Sequence, residues 1–166
     1  MMTEALRDEI AALVPRLRRF AYALSGSREE GDDLVQTACL KALSRLEQYK
    51  PGTRLDSWMM QIVRNQFLDD RRRFARRGGA VDPEMAEKVS DEGLDAQRRE
   101  DRLTLARVRQ AMAHLPEGQR AVLALVAIDG YSYKDAATVL SIPVGTVMSR
   151  LSRARARLVP LMSEGE

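Results

Sequence analysis

The stretch Gly130-Tyr-Ser-Tyr-Lys-Asp-Ala-Ala-Thr-Val-Leu140, Ser141-Ile-Pro-Val-Gly-Thr-Val-Met-Ser-Arg150, Leu151-Ser-Arg-Ala-Arg-Ala-Arg-Leu158 decides the fold. Ser132 and Asp135 have capping-box spacing and open a helix that ends near Leu140. Ser141-Ile142-Pro143 interrupts it, because proline has no amide hydrogen to continue a helix. A second helix restarts around Val144 to Thr146. Its apolar stripe is Val147, Leu151, Ala154 and Leu158. At about 100° per residue, Ser149, Ser152 and Arg153 point away from that stripe, with Arg150, Arg155 and Arg157 on the flanks. Two short helices joined by a tight turn, the second carrying arginines outward, suit entry into a major groove. The outward groups reach base edges and the flanking guanidinium groups reach phosphates. Arg153, nearly opposite the stripe, is the candidate base contact, and Arg157 a phosphate contact. The alternative for this segment is a solvated surface helix of a bundle.

Working outward, 166 residues suffice for one or two small domains. The net charge of +3 conceals a pattern: residues 1–77 and 101–166 are net basic, and residues 78–100 are net acidic. Arginine dominates the basic residues, with lysine only at positions 41, 50, 88 and 134, which suits phosphate contacts. Cys39 and His114 are each the sole residue of their kind. That leaves no internal disulfide and no cysteine cluster for a metal, and His114 before Leu115-Pro116 reads as structural. No metal, cofactor or small-molecule substrate is expected. Nothing resembles a signal peptide or a membrane-spanning apolar run, so the expected location is the cytoplasm.

Apolar periodicity then gives helices over 4–24 (Leu6, Ile10, Leu13, Leu17, Phe20, Leu24), with Pro15 expected to kink or break the helix, and over 29–47 (Leu34, Ala38, Ala42, Leu46). Tyr49-Lys50-Pro51-Gly52-Thr53 reads as a loop. A third helix runs from about Asp56 to Arg73 with Trp58, Ile62 and Phe67. Gly78 to Asp95 has no helical period and reads as a flexible acidic linker. The pattern resumes with Leu103, Ala106, Gln110 and Ala113, and an apolar helix spans Ala121 to Ile128. The expectation is an all-α chain of two small helical domains, 1–77 and 101–166, joined by a linker over 78–100, the second domain holding the helix–turn–helix.

With these residues in place, the chain resembles a bacterial sigma factor of the extracytoplasmic-function class over about 10–77 and 103–158. Asp32-Asp33-Leu34-Val35-Gln36 with Lys41-Ala42-Leu43 resembles the family's second-region helix. Ser57-Trp58-Met59-Met60-Gln61-Ile62-Val63-Arg64-Asn65 resembles its promoter-melting helix. Leu115-Pro116, Gln119-Arg120 and the 130–158 block resemble its fourth region. The Pro51-Gly52-Thr53 loop is similar to that of the subclass governing general stress responses. Two departures stand out. Thr37-Ala38 stands where the family often has Glu-Thr, and Met148 where it often has Lys or Arg.

The resemblance implies roles residue by residue. Asp32, Asp33, Leu34, Gln36 and Leu40 would bind the β′ clamp helices of core RNA polymerase, and the C-terminal domain its β flap. Asp32 and Asp33 would equally serve as acids at a helix start. Asn65, with Arg64 and the loop from Tyr49 to Arg54, would hold a base flipped from the minus-10 element, since an amide offers both donor and acceptor to a base edge. Trp58 would stack on a base or fill core. Arg71 and Arg72, with Arg73, Arg76 and Arg77, would track phosphates or simply be solvated. Thr146, Met148, Ser149, Arg150, Ser152, Arg153, Arg155 and Arg157 would face the minus-35 duplex. The implied function is promoter-directed transcription initiation, with an anti-sigma factor as further partner. The rivals are a sigma mimic that titrates an anti-sigma factor, and a helix–turn–helix regulator. The regulator would need a dimerisation element. An enzyme is disfavoured by the lack of a His/Cys/acid constellation or glycine-rich phosphate loop.

Overall fold

The computed structural model describes residues 2–78, 107–108 and 110–163, side chains of residues 2 and 161–163 apart. Most of the expected linker, with Leu103 and Ala106, lies outside them. All elements among the described residues are helical: α1 (Met2–Ser25), α2 (Arg28–Ser44), a 3-10 turn (Leu46–Gln48), α3 (Leu55–Arg76), α4 (Glu117–Leu123) continuing as a π-helical segment (Ala124–Ile128), α5 (Tyr133–Leu140) and α6 (Val144–Ser163).

Of the apolar positions that set the helix periods, most are buried, while Leu6, Leu13, Leu46, Trp58 and Ile62 are half-buried at the edge of the core. Ile10, Leu17, Phe20 and Leu24 of α1 close on Leu34, Val35, Ala38 and Ala42 of α2 and on Met59, Met60, Val63 and Phe67 of α3. Complete burial of side chains such as Phe20 and Leu17 contributes roughly 1.5–3 kcal/mol apiece. Helix α1 runs through Pro15 without a break. Both Pro15 and Ala11, whose carbonyl the proline leaves unbonded, face solvent, so water can take that carbonyl. Ser27 caps α2, its hydroxyl accepting from the Glu30 amide at 3.3 Å. Gly31 is required by close approach: a methyl there would fall 2.4 Å from the Tyr22 ring.

In the C-terminal half, the Ser132 hydroxyl accepts from the Asp135 amide at 3.0 Å and opens α5 as the capping pattern predicts. Ser141 ends α5 in the left-handed conformation (φ 55°), which lets the chain turn before Pro143 and restart at Val144. Val147, Leu151 and Ala154 seat α6 on α4 and α5. The apolar helix expected over 121–128 begins earlier, at Glu117, and widens to π geometry from Ala124, with the Asp129 amide reaching back to the Ala124 carbonyl. The wider turn re-aims the residues after it, and Asp129 and Tyr131 are delivered toward the N-terminal half.

The sequence leaves the packing of the two halves open. Among the described residues one hydrophobic cluster runs through both, with α4 against α1 and α5 against α3. The polar centre of that junction is Arg120, only 6% exposed. Helix α1 has no basic residue in its last turn, so its terminal carbonyls lack a partner of their own. Arg120 supplies it: Nε donates to the Ala23 carbonyl (2.8 Å), Nη2 to Leu24 (2.8 Å) and Nη1 to Leu115 (3.0 Å). Burial lowers its pKa, Glu117 opposes that, and guanidinium stays charged regardless. Removing a buried charged donor strands its acceptors. Arg120→Met is expected to cost about 2–4 kcal/mol in urea unfolding, with Arg120→Lys recovering part of it. A loss under about 0.5 kcal/mol would show that the junction does not depend on this side chain.

Candidate nucleic-acid interface

Helix α6 holds its sequence-assigned residues in three ways. Ser149, Ser152, Arg153, Arg155 and Arg157 are exposed, as is Met148, while Thr146 is half-buried. The Ser149 hydroxyl donates to the Thr146 carbonyl at 3.2 Å, leaving its lone pairs outward. Arg150 differs: its guanidinium lies along Gly118 so closely that a methyl there would meet Nη1 at 3.0 Å. Its charge is felt by Arg64 of α3. Arg150 therefore faces the junction of the halves rather than the open side of α6.

The minus-10 candidates divide similarly. Asn65 is exposed and lines a groove between α2 and α3 with Lys41, Arg45, Ile62, Asp69 and Arg72. Three cations against one carboxylate, beside an amide, suit a nucleotide: phosphates for the cations and a base edge for the amide. Gln66 closes the groove floor. Its Nε2 donates to Asp70 Oδ1 at 2.8 Å, while Oε1 is buried without a partner. Sequence reasoning missed Lys41, Arg45 and Gln66, because nothing in the spacing shows which side chains of α2 meet α3. Arg72 also lies 3.6 Å from Asp69. Arg71 covers the Phe67 ring, with the guanidinium carbon 4.8 Å from the centroid. Arg64 turns from the groove toward the C-terminal half; burial lowers its pKa, Glu117 opposes this, and Arg150 and Arg72 add to the lowering. Trp58 is half-buried, tilted at 49° against Tyr49 with centroids 5.4 Å apart. The Tyr49 hydroxyl in turn donates to the Thr53 carbonyl, so Trp58 braces the 49–54 loop.

Arg54, at the end of that loop, is the most engaged residue of the set. It grips Asp56 through Nε (3.1 Å to Oδ1) and Nη2 (2.7 Å to Oδ2), pairs with Asp135 of α5, and lies over the Tyr131 ring at 4.7 Å. Tyr131 donates to Asp56 Oδ2 at 2.8 Å, and Arg16 of α1 does so at 3.2 Å. Nearby, Gln61 Nε2 donates to the Thr138 carbonyl (3.0 Å), and Arg19 pairs with the buried side chain of Asp129 (3.4 Å). The loop assigned to promoter reading is thus tied by its arginine to the helix–turn–helix.

On α2, Asp33, Gln36 and Leu40 form an exposed face, with Leu40 64% exposed, a large apolar group free for a partner. Leu34 differs from the rest of the expected set: at 4% exposure it packs in the core. Asp32 is tied back to α1, accepting from the Tyr22 hydroxyl at 2.6 Å with Arg18 3.7 Å away.

Models of sigma-70 region 2 and sigma-70 region 4 match residues 10–77 and 105–158. The chain is 40% identical over 162 residues to the ECF RNA polymerase sigma factor EcfG of Rhodopseudomonas palustris, covering 97% of this chain and 87% of the relative. It is 35% identical to the ECF sigma factor SigM of Mycobacterium tuberculosis, covering 89% and 71%. Among solved structures, the sigma factor RpoE in complex with the anti-sigma factor NepR from Bartonella quintana matches with TM-score 0.77 at 30% identity, covering 96% of this chain and 98% of that one. CnrH in complex with the cytosolic domain of CnrY matches with TM-score 0.70 at 28% identity, covering 98% and 90%. The chain belongs to the extracytoplasmic-function class of RNA polymerase sigma factors. No described helix is long and apolar enough to cross a membrane.

Burial alone disfavours the Asp56 charge, but Arg54, the Tyr131 hydroxyl and the Ser57 amide outweigh it and hold the carboxyl at about 2, against an ordinary 3.8. A carboxylate depressed in the folded state stabilises fully above its ordinary value and loses that contribution as pH falls from about 4 to 2. Asp129 runs oppositely, because burial raises its pKa and its protonation favours the packed form. Wild type is expected to exceed Asp56→Asn in stability by on the order of 1–2 kcal/mol at pH 6, with the gap closing between pH 4 and 2. Paired unfolding curves across that range check this, and a gap independent of pH would contradict it.

Proposed function

We propose that this chain joins core RNA polymerase through the Asp33–Gln36–Leu40 face of α2 and the C-terminal domain, on the β′ clamp helices and β flap. Helix α6 reads the minus-35 duplex, and the α2–α3 groove with Asn65 takes a base from the minus-10 element. No chemistry is required of the chain, because binding of unstacked bases offsets the cost of opening the duplex. The protein acts in the cytoplasm. Complexes of RpoE with NepR and of CnrH with CnrY support an anti-sigma factor as a further partner, and the likeness to EcfG, together with the Pro51-Gly52-Thr53 loop, supports a role in stress-responsive transcription.

The observation that carries this reading is the division of labour on α3 and α6. Their apolar stripes are buried, while Asn65 on α3 and Ser149, Ser152 and Arg153 on α6 stand exposed beside cations. The packed arrangement cannot be the one that works on DNA. Elements about 25 base pairs apart span roughly 85 Å of duplex, whereas a compact chain of this length has a radius of gyration of about 15 Å. The halves must separate, and the Arg54 ties must break, for both elements to be held at once.

Run-off transcription with purified core polymerase, with and without the chain, tests the function; specific transcripts are expected only with it. Asn65→Ala is expected to reduce permanganate reactivity of the minus-10 region at least about tenfold, on the scale of one bidentate base contact. Polymerase binding and minus-35 binding should be nearly unchanged. An open complex equal to wild type would remove Asn65 from the site.

A further inference from the structure

The face of α6 that the minus-35 reading turns toward DNA carries a feature that phosphate binding does not explain. Met148 is 53% exposed and Val144 41% exposed in the first half of a helix whose Val147, Leu151 and Ala154 are buried, with Val159 the other large exposed apolar residue described there. At about 100° per residue, Val144, Met148, Ser152 and Arg155 lie along one flank of the outward face. Gly145 sits one turn before both Met148 and Ser149, and a methyl built on it would meet nothing within 4 Å. A helical glycine is less stable than alanine by roughly 0.5–1 kcal/mol, and no packing among the described residues asks for one here. The result is open space on the outward face beside Met148 and Ser149, with exposed arginines further along the helix that would hold it against a duplex.

In the major groove, the one apolar group a base pair presents is the 5-methyl of thymine. Methionine is flexible and polarizable, and it adapts to such a contact. We propose that Met148, beside the open space left by Gly145, receives the 5-methyl group of a thymine in the minus-35 duplex, so that this chain reads by an apolar contact at that position. The inference rests on the assignment of α6 to the minus-35 element. Val144 extends the apolar wall, and Ser149 hydrogen-bonds the neighbouring base edge.

The test uses holoenzyme formed from the full chain and promoter duplexes in which each minus-35 thymine, on either strand, is replaced in turn by uracil. One replacement is expected to weaken wild-type binding about fourfold, the scale of one buried methyl. Met148→Ala should bind the natural duplex about fourfold more weakly and be indifferent to that same replacement. Gly145→Ala should unfold at the same or higher temperature, yet lose at least that much DNA affinity. No uracil sensitivity at any position, or equal sensitivity in Met148→Ala, would overturn the proposal while preference for the natural element over a scrambled one remains. Loss of that preference in wild type would overturn the assignment of α6 itself.

Discussion

A guanidinium sealed inside a protein must find acceptors, and a helix end without a cation must find a donor. Arg120 and the C-terminus of α1 answer each other across 96 residues of chain. Because the bonds run to backbone carbonyls, they fix where α4 sits on α1. With α4 placed, the π-helical turn after it delivers Asp129 and Tyr131 to α1 and α3, and α5 lands where Asp135 and Thr138 meet Arg54 and Gln61. The contacts between the halves follow from that one buried charge and from the apolar cluster around it.

The two layers of this junction differ in kind. Arg120 and the apolar cluster are dry, and opening them exposes surface that water wets poorly. The ring of Arg16, Arg54, Asp56 and Asp135 is partly solvated, so each pair contributes modestly and is screened by salt. On the proposed promoter reading, in which the halves part, this composition is an advantage. Polymerase and promoter phosphates compete well for half-exposed arginines, and poorly for buried leucines. Arg54 belongs to both states, engaged by α5 in the packed form and, in the proposed promoter complex, part of the loop at the minus-10 element.

The helix–turn–helix was legible in the sequence because its signals are local. Ser132 and Asp135 cap α5 as their spacing says, Leu140 and Val144 bound the turn, and Val147, Leu151 and Ala154 are the buried stripe. The three N-terminal helices also form where their apolar periods place them, although the core of α3 is carried by Met59, Met60 and Val63 with Phe67, and Trp58 and Ile62 are only half-buried. What a single sequence could not show is what covers each face. Leu34 falls on the apolar side of α2, yet the family resemblance places it at a partner surface, and the structure buries it. Arg64 and Arg150 read as outward cations because periodicity ignores the helices packed beside them. Arg120 looked like one more residue at a helix start, since its acceptors at Ala23 and Leu24 are distant in sequence. The packing of the halves lay beyond any local pattern, and the acidic composition of residues 78–100 left it open.

That packed and promoter-bound forms are different states of this chain is the central claim. It is tested most directly by a distance between the halves. With Cys39 replaced by serine, spin labels at Glu47→Cys and Lys134→Cys report the separation of the α2–α3 connection from α5 by pulsed electron paramagnetic resonance. A single short distance is expected in the free protein. In the open promoter complex with polymerase, the distance should lengthen by more than about 20 Å, as the span between promoter elements demands. An unchanged distance in an active open complex would contradict the account.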